Sequence, residues 1–149
     1  MAVVGRSGVG KTYLIETVIP ILKASGLRVA TVKHTHHQVF RDAPGTDSTR
    51  HQEAGASRTV LAGPGFCIAF GDDEYPFEDV IRLAGRGTDL VLIEGYKEQP
   101  IRRIEVVREG EPILPTGEAW MTVTSEQSQE FAEFLIALCK SQEKPTSPE

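Results

Sequence analysis

Apolar positions along the chain fall into two rhythms, and their alternation predicts an α/β fold. Ala2, Val3 and Val4 form a short apolar run suited to the end of a buried strand. Leu14, Ile15, Val18, Ile19 and Leu22 then recur at helical spacing, and Gly26 supplies a stop. Residues 28–33 read as a second strand. The helix between them is long enough for a right-handed crossover, so the two strands are expected to run parallel. Residues 58–61 and 66–70 read as strands flanking a Gly63-Pro64-Gly65 turn, the pattern of a hairpin. Phe77, Val80, Ile81 and Ala84 mark a short amphipathic helix between Pro76 and Gly85.

In residues 89–95 the four positions Leu90, Val91, Leu92 and Ile93 are all apolar, which suits a strand covered on both faces. Residues 101–107 and 119–124 read as later strands. Phe131, Phe134, Leu135 and Leu138 form the inner stripe of a closing helix, with Thr124 and Gln127 spaced as its capping box. The expectation is one domain over residues 1–140. Its sheet is mostly parallel, with helices on both faces and a small antiparallel extension. Residues 141–149 are polar, hold two prolines, and are expected to be a disordered tail.

One stretch interrupts these rhythms with chemistry. Gly5-Arg6-Ser7-Gly8-Val9-Gly10-Lys11-Thr12 fits G-x-x-x-x-G-K-[ST], the phosphate-binding P-loop, between a predicted strand and a predicted helix. Glycines let successive N–H groups of Gly5, Ser7, Gly8, Val9 and Gly10 curl around phosphate oxygens. Lys11 reaches the outer phosphates, Thr12 offers a hydroxyl to Mg²⁺, and the helix N-terminus adds its dipole. In open parallel sheets ligands sit beyond the carboxyl ends of the strands. Glu94 ends its strand at that edge if the strand is parallel, whereas Asp89 falls at the opposite one. Glu94 is therefore the expected Mg²⁺-shell carboxylate.

Composition narrows the classes. A net charge of -5 argues against a broad grip on nucleic acid. Cys67 and Cys139 lack metal or redox spacing and are expected to be small buried residues. Arg6 and the glycines interrupt any signal peptide, and no apolar run approaches membrane-spanning length, so a cytoplasmic protein is expected. The first strand begins at Met1, so either it is short or the natural chain starts earlier.

Three of the four histidines, His34, His36 and His37, follow the second strand. Residues 38–51 are too polar for core and long for a plain connection, which suggests a binding loop carrying Asp42 and Asp47; residues 52–56 suit a helical turn. The acidic loop at residues 71–74 reads as solvated surface. Lys97, Arg102, Arg103 and Arg108 surround the strand at 101–107 as either a solvated face or a docking surface for a second anion.

Taken in order, the P-loop, Thr31-Val32-Lys33-His34-Thr35-His36-His37, Asp42-Ala43-Pro44-Gly45-Thr46-Asp47-Ser48, Glu53-Ala54-Gly55-Ala56 and Glu94-Gly95-Tyr96-Lys97 resemble one family. It is the molybdopterin-guanine dinucleotide biosynthesis protein B family, MobB, and the resemblance runs to about residue 107. It implies a P-loop GTPase fold, GTP with Mg²⁺, a homodimer, and partnership with the transferase that attaches GMP to molybdopterin. It implies an accessory protein with weak GTP hydrolysis. Asp42 and Asp47 are then candidates to approach the metal or the nucleotide, and Lys33, His34, His36 and His37 to contact phosphate or hold the pterin. No Asn-Lys-x-Asp base-reading motif is present. Ser125 and Glu126 are the candidates for base recognition, Glu126 standing where the family often carries an aspartate.

Two other readings use the same residues. A metallochaperone GTPase would take His34, His36 and His37 as metal ligands. A small-molecule kinase would use Asp42 or Asp47 as the base beside an acceptor hydroxyl. No residue is singled out as catalytic.

Overall fold

The strand-forming runs assemble around the shortest of them. The computed structural model describes residues 1–35, 42–71, 73–108, 112, 114–115 and 117–142. Five strands, β1 (Ala2–Val4), β2 (Val29–Lys33), β5 (Leu90–Glu94), β6 (Arg103–Val107) and β7 (Met121–Thr124), form one sheet in the order β2-β5-β1-β6-β7. All four pairings are parallel, so every carboxyl end lies at the same edge. Parallel pairing needs crossovers, and α1 (Lys11–Ala24) lies in the one from β1 to β2 and α3 (Phe77–Gly85) in the one that returns to β5, while α4 (Ser128–Gln142) follows the last strand. Two further strands, β3 (Arg58–Gly63) and β4 (Phe66–Gly71), pair antiparallel as a separate two-stranded sheet. The sheet is thus mostly parallel with helices and a small antiparallel companion, as the patterning predicts.

The chain divides into two compact units. The first comprises Met1–His34 and Glu78–Glu149. Its core joins Leu14, Ile15, Val18 and Leu22 of α1 to Phe131, Ala132 and Leu135 of α4, over Val3, Leu92, Ile104, Val106 and Val123. Each of these side chains except Ala132 contributes about 1.5–3 kcal/mol of transfer free energy. Of the predicted stripes, Ile19 and Phe134 are half-buried at the core's margin, Leu138 is half-buried, and Ala132 takes a core place that the pattern does not predict. α1 runs through Pro20, which is exposed while the stripe lies buried on the other side.

The start of α4 differs from the expected capping box. Phe131 N–H donates to the Gln127 carbonyl at 3.1 Å, so Gln127 rather than Thr124 stands at the helix entry. The Gln127 side chain does turn back, accepting from Thr124 N–H at 2.9 Å. α4 continues to Gln142, two residues into the expected tail, and residues 143–149 lie outside the described part.

At the amino edge of the sheet, Asp89 takes both ends of the Arg28 guanidinium (2.9 and 3.2 Å) and the Arg28 N–H (2.7 Å). These bonds hold the Asp89 carboxyl down to about 2, against an ordinary value of 3.8. A depressed carboxylate adds stability that is complete above pH 3.8 and lost as pH falls through about 2. Asp89→Asn should therefore flatten the dependence of the urea midpoint on pH in that window only. The pair is exposed, so the effect should be small.

The second unit is Thr35–Phe77. It holds α2 (Asp47–Glu53) and the β3–β4 hairpin. α2 begins inside the stretch expected to be loop, and five residues before the expected helical turn. The reason is local: Thr46 sits in extended conformation and its hydroxyl accepts from Thr49 N–H at 3.4 Å, an N-cap. Both cysteines depart from expectation. Cys67 is exposed on the hairpin, and Cys139 is half-buried, burial raising its thiol pKa. A short strand open on one face cannot cover Cys67. Among the described residues, no helix is long and apolar enough to cross a membrane.

Candidate functional site

β1 ends at Val4 and α1 begins at Lys11, so the glycine-rich loop is the whole connection at the carboxyl edge. Gly5, Gly8 and Gly10 have φ of 146°, 76° and 93°, a region that side chains rarely enter. Two of them also lack room. A Cβ on Gly5 would lie 2.4 Å from the Val106 carbonyl oxygen of β6, and one on Gly10 would lie 2.5 Å from Ser125 Cβ. Val9 turns its side chain to the core and anchors the loop. Arg108 donates to the Gly8 carbonyl at 3.2 Å from the far side. The loop is thus gripped from β6 and from the turn after β7. Sequence reasoning missed the grips of Arg108 and Ser125, because both are distant in the chain.

Register explains the carboxylate. Lys33 of β2 is the Cα partner of Glu94 on β5, and Val3 of β1 is its partner on the other side. Glu94 is therefore brought beside the loop, and buried. Its Oε2 accepts from the Thr12 hydroxyl at 2.9 Å, and its Oε1 takes the Lys33 ammonium. Lys11 Nζ donates to the Gly5 and Arg6 carbonyls at 3.2 and 2.6 Å. Burial lowers the Lys11 pKa most; nearby Glu94 opposes the shift, while Lys97 and Lys33 add to it. A cavity of about 240 Å³ opens here, lined by Gly5, Ser7, Lys11, Lys33, Glu94 and Lys97 among others.

The predicted residues separate accordingly. Lys11, Thr12, Lys33, His34 and Glu94 come together with the loop, whereas Asp89 lies at the opposite edge in its pair with Arg28. His34 stacks on Tyr96, ring centroids 4.0 Å apart. Ser125 backs Gly10, and Glu126 is exposed on the same turn. His36 and His37 lie outside the described residues, as does Asp72 of the acidic loop. Among the described residues, no group of three His, Cys, Asp or Glu could hold a metal ion.

Asp42 and Asp47 belong to the second unit. Asp42 accepts from Ser48, from Ala43 N–H at 2.8 Å and from Thr46 at 3.0 Å. These bonds, Ser48 first, hold its carboxyl below the usual range. A carboxylate so committed closes its own turn and makes a poor base. Asp47 is exposed in the first turn of α2, 3.5 Å from Arg50.

The cations around β6 do not form one surface. Arg102 lies over the Trp120 ring at 4.1 Å, and Arg103 bonds Glu118 (3.4 Å) and the Gln99 carbonyl (3.2 Å). Arg108 goes to the loop, and Lys97 to the cavity.

Thr12 and Glu94 present oxygen donors of the kind Mg²⁺ takes, few in number and beside the cavity that Lys11 lines. Gly5 and Gly10 leave no room for a Cβ while Gly8 has open space, and a glycine-rich loop of this kind can offer backbone N–H groups to an anion.

Comparison with known proteins agrees with this architecture. The family described as molybdopterin guanine dinucleotide synthesis protein B, MobB, matches residues 1–126. The chain is 38% identical over 112 residues to a molybdopterin-guanine dinucleotide biosynthesis adapter protein of Haemophilus influenzae, covering 73% of this chain and 63% of that protein. It is 36% identical over 117 residues to the protein of that name from Escherichia coli K12, covering 74% and 66%. The chain thus spans under two thirds of the length of these curated relatives. A crystal structure of molybdopterin-guanine biosynthesis protein B superposes with a TM-score of 0.61 at 25% identity, over 93% of this chain and 97% of that one. With its first 126 residues matched, the chain belongs to the MobB family.

Proposed function

We propose that this chain is a GTP- and Mg²⁺-binding adapter protein of molybdopterin guanine dinucleotide biosynthesis. The observation that carries the reading is the Thr12 hydroxyl meeting the buried Glu94 carboxylate at 2.9 Å beside Lys11. The names of the relatives supply the pathway. In this reading the N–H groups of residues 5–12 and the Lys11 ammonium hold the phosphates. Thr12 and Glu94 hold Mg²⁺, which when bound neutralises charge on the phosphate oxygens. To admit the metal, Lys33 leaves Glu94 and turns to phosphate. Ser125 and Glu126, on the turn against Gly10, face the problem of the base. Hydrolysis, water adding at the terminal phosphorus as GDP leaves, is slow and secondary to holding the nucleotide. The protein acts in the cytoplasm as a homodimer, delivering to the guanylyltransferase that joins GMP to molybdopterin.

The test is titration with GTP, GDP and ATP, with and without Mg²⁺. Glu94→Gln should remove most of the gain from Mg²⁺, about 10–100-fold for a charge-assisted contact worth 1.5–3 kcal/mol. It should not weaken Mg²⁺-free binding, because it removes a negative charge from beside the phosphates. Absence of GTP binding by the parent protein would end the proposal. Equal affinity for ATP would remove the role given to Ser125 and Glu126.

A further inference from the structure

Directly after β5 the chain turns back through two residues in left-handed conformation, Gly95 (φ 109°) and Tyr96 (φ 51°). Glycine is required at the first: a Cβ there would sit 2.8 Å from His34 Cβ. The second is unusual. Among the described residues Tyr96 is the one non-glycine with positive φ. Bulky residues adopt that conformation at a cost, and it persists where surrounding structure enforces it, often at functional sites. Here the enforcement is visible, since the Tyr96 ring stacks on His34 at 4.0 Å with 22° between planes.

The turn delivers Lys97. Carried back over the carboxyl edge, it lines the cavity with Lys11 and Lys33. The three ammonium groups are not equivalent. Lys11 is held by the Gly5 and Arg6 carbonyls, and Lys33 by Glu94. Lys97 is exposed and, among the described residues, has neither an ion pair nor a hydrogen bond. It lies near enough to Lys11 to lower that group's pKa. Three lysines face one carboxylate in a cavity of about 240 Å³, smaller than pockets that enclose whole ligands. Such a cavity suits the phosphate end of a ligand and not its base.

We propose that Lys97 is a phosphoryl-binding residue, aimed by the strained Gly95-Tyr96 turn at the terminal phosphate of the bound nucleotide. The assignment rests on the nucleotide-binding reading above. The same dianion could arrive on a separate phosphate-bearing ligand, and the test distinguishes the two sources.

Lys97→Gln and Lys97→Arg are compared with the parent chain by calorimetric titration with GTP and GDP in Mg²⁺, and with inorganic phosphate added to GDP-saturated protein. The expected result is a loss of about tenfold or more for GTP in Lys97→Gln, with GDP unchanged and partial recovery in Lys97→Arg. Unchanged GTP and GDP with loss of phosphate binding to the GDP form would also support Lys97, on a separate ligand. Equal loss for GTP and GDP, or no loss in any arm, would overturn it. If the parent protein binds no nucleotide, the reading above fails first. Phosphate binding to the nucleotide-free protein then decides the matter for Lys97 alone.

Discussion

Alanine at Gly5 should cost the protein a large part of its stability, and no change of a neighbouring side chain should restore it. The added Cβ would lie 2.4 Å from the Val106 carbonyl oxygen, at a backbone φ of 146°. Val106 belongs to β6, whose ladder joins it to β1 on one side and β7 on the other. The obstacle is therefore backbone fixed in the sheet. Strain at such a φ costs about 1–3 kcal/mol, and overpacking of a tight interior another 1–3 or more. Set against a total near 5–15 kcal/mol, the sum is severe. The check is the urea midpoint, which should fall with little change in slope.

Gly10→Ala should behave differently, because its obstacle is a side chain. The added Cβ would lie 2.5 Å from Ser125 Cβ and 2.9 Å from Ser125 Oγ. Ser125→Gly removes both atoms. The double variant should therefore recover the overlap and retain only the strain of φ 93°, about 1–3 kcal/mol. Nucleotide affinity should follow the same order, Gly10→Ala weakest and the double variant intermediate. Full stability and binding in Gly10→Ala alone would refute the packing of the β7–α4 turn on the loop.

What could be read in advance was whatever repeats or is punctuated locally. The stripe from Leu14 to Leu22 and the unbroken run from Leu90 to Ile93 carry their own periods, so helix and buried strand are legible. A parallel direction for that strand then places Glu94, not Asp89, beside the loop. Contacts set by register or by distant turns were not legible. Lys33 meets Glu94 only because β2 pairs with β5 in one alignment, 61 residues apart. Ser125 backs Gly10 from the other end of the sequence. Tyr96 carries no mark of a left-handed backbone, since tyrosine has no preference for one. α2 was hidden because residues 47–53 have no apolar stripe; the Thr46 cap holds what composition does not advertise. The exposure of Cys67 was unreadable for the opposite reason: its residue type usually goes inside.

Lys11→Ala should separate binding from folding. Among the described residues the ammonium donates to carbonyls of its own loop alone, Gly5 at 3.2 Å and Arg6 at 2.6 Å. Burial lowers its pKa, which means that the folded loop disfavours its charge. Removing it should therefore leave the urea midpoint nearly unchanged. GTP affinity should fall at least about tenfold, the lower end expected for a charge-assisted contact. The pH dependence supplies a second check with a definite sign. In the free protein Lys11 loses its proton below its ordinary value of 10.5, and contact with phosphate would raise the pKa again. Affinity in the parent should therefore decline as alkaline pH rises through the lowered value, with proton uptake on binding over that interval. Heats measured in buffers of different ionisation enthalpy report that uptake, and Lys11→Ala should abolish it. Parent-like affinity in this variant, or proton uptake that survives it, would place the phosphate somewhere other than this loop.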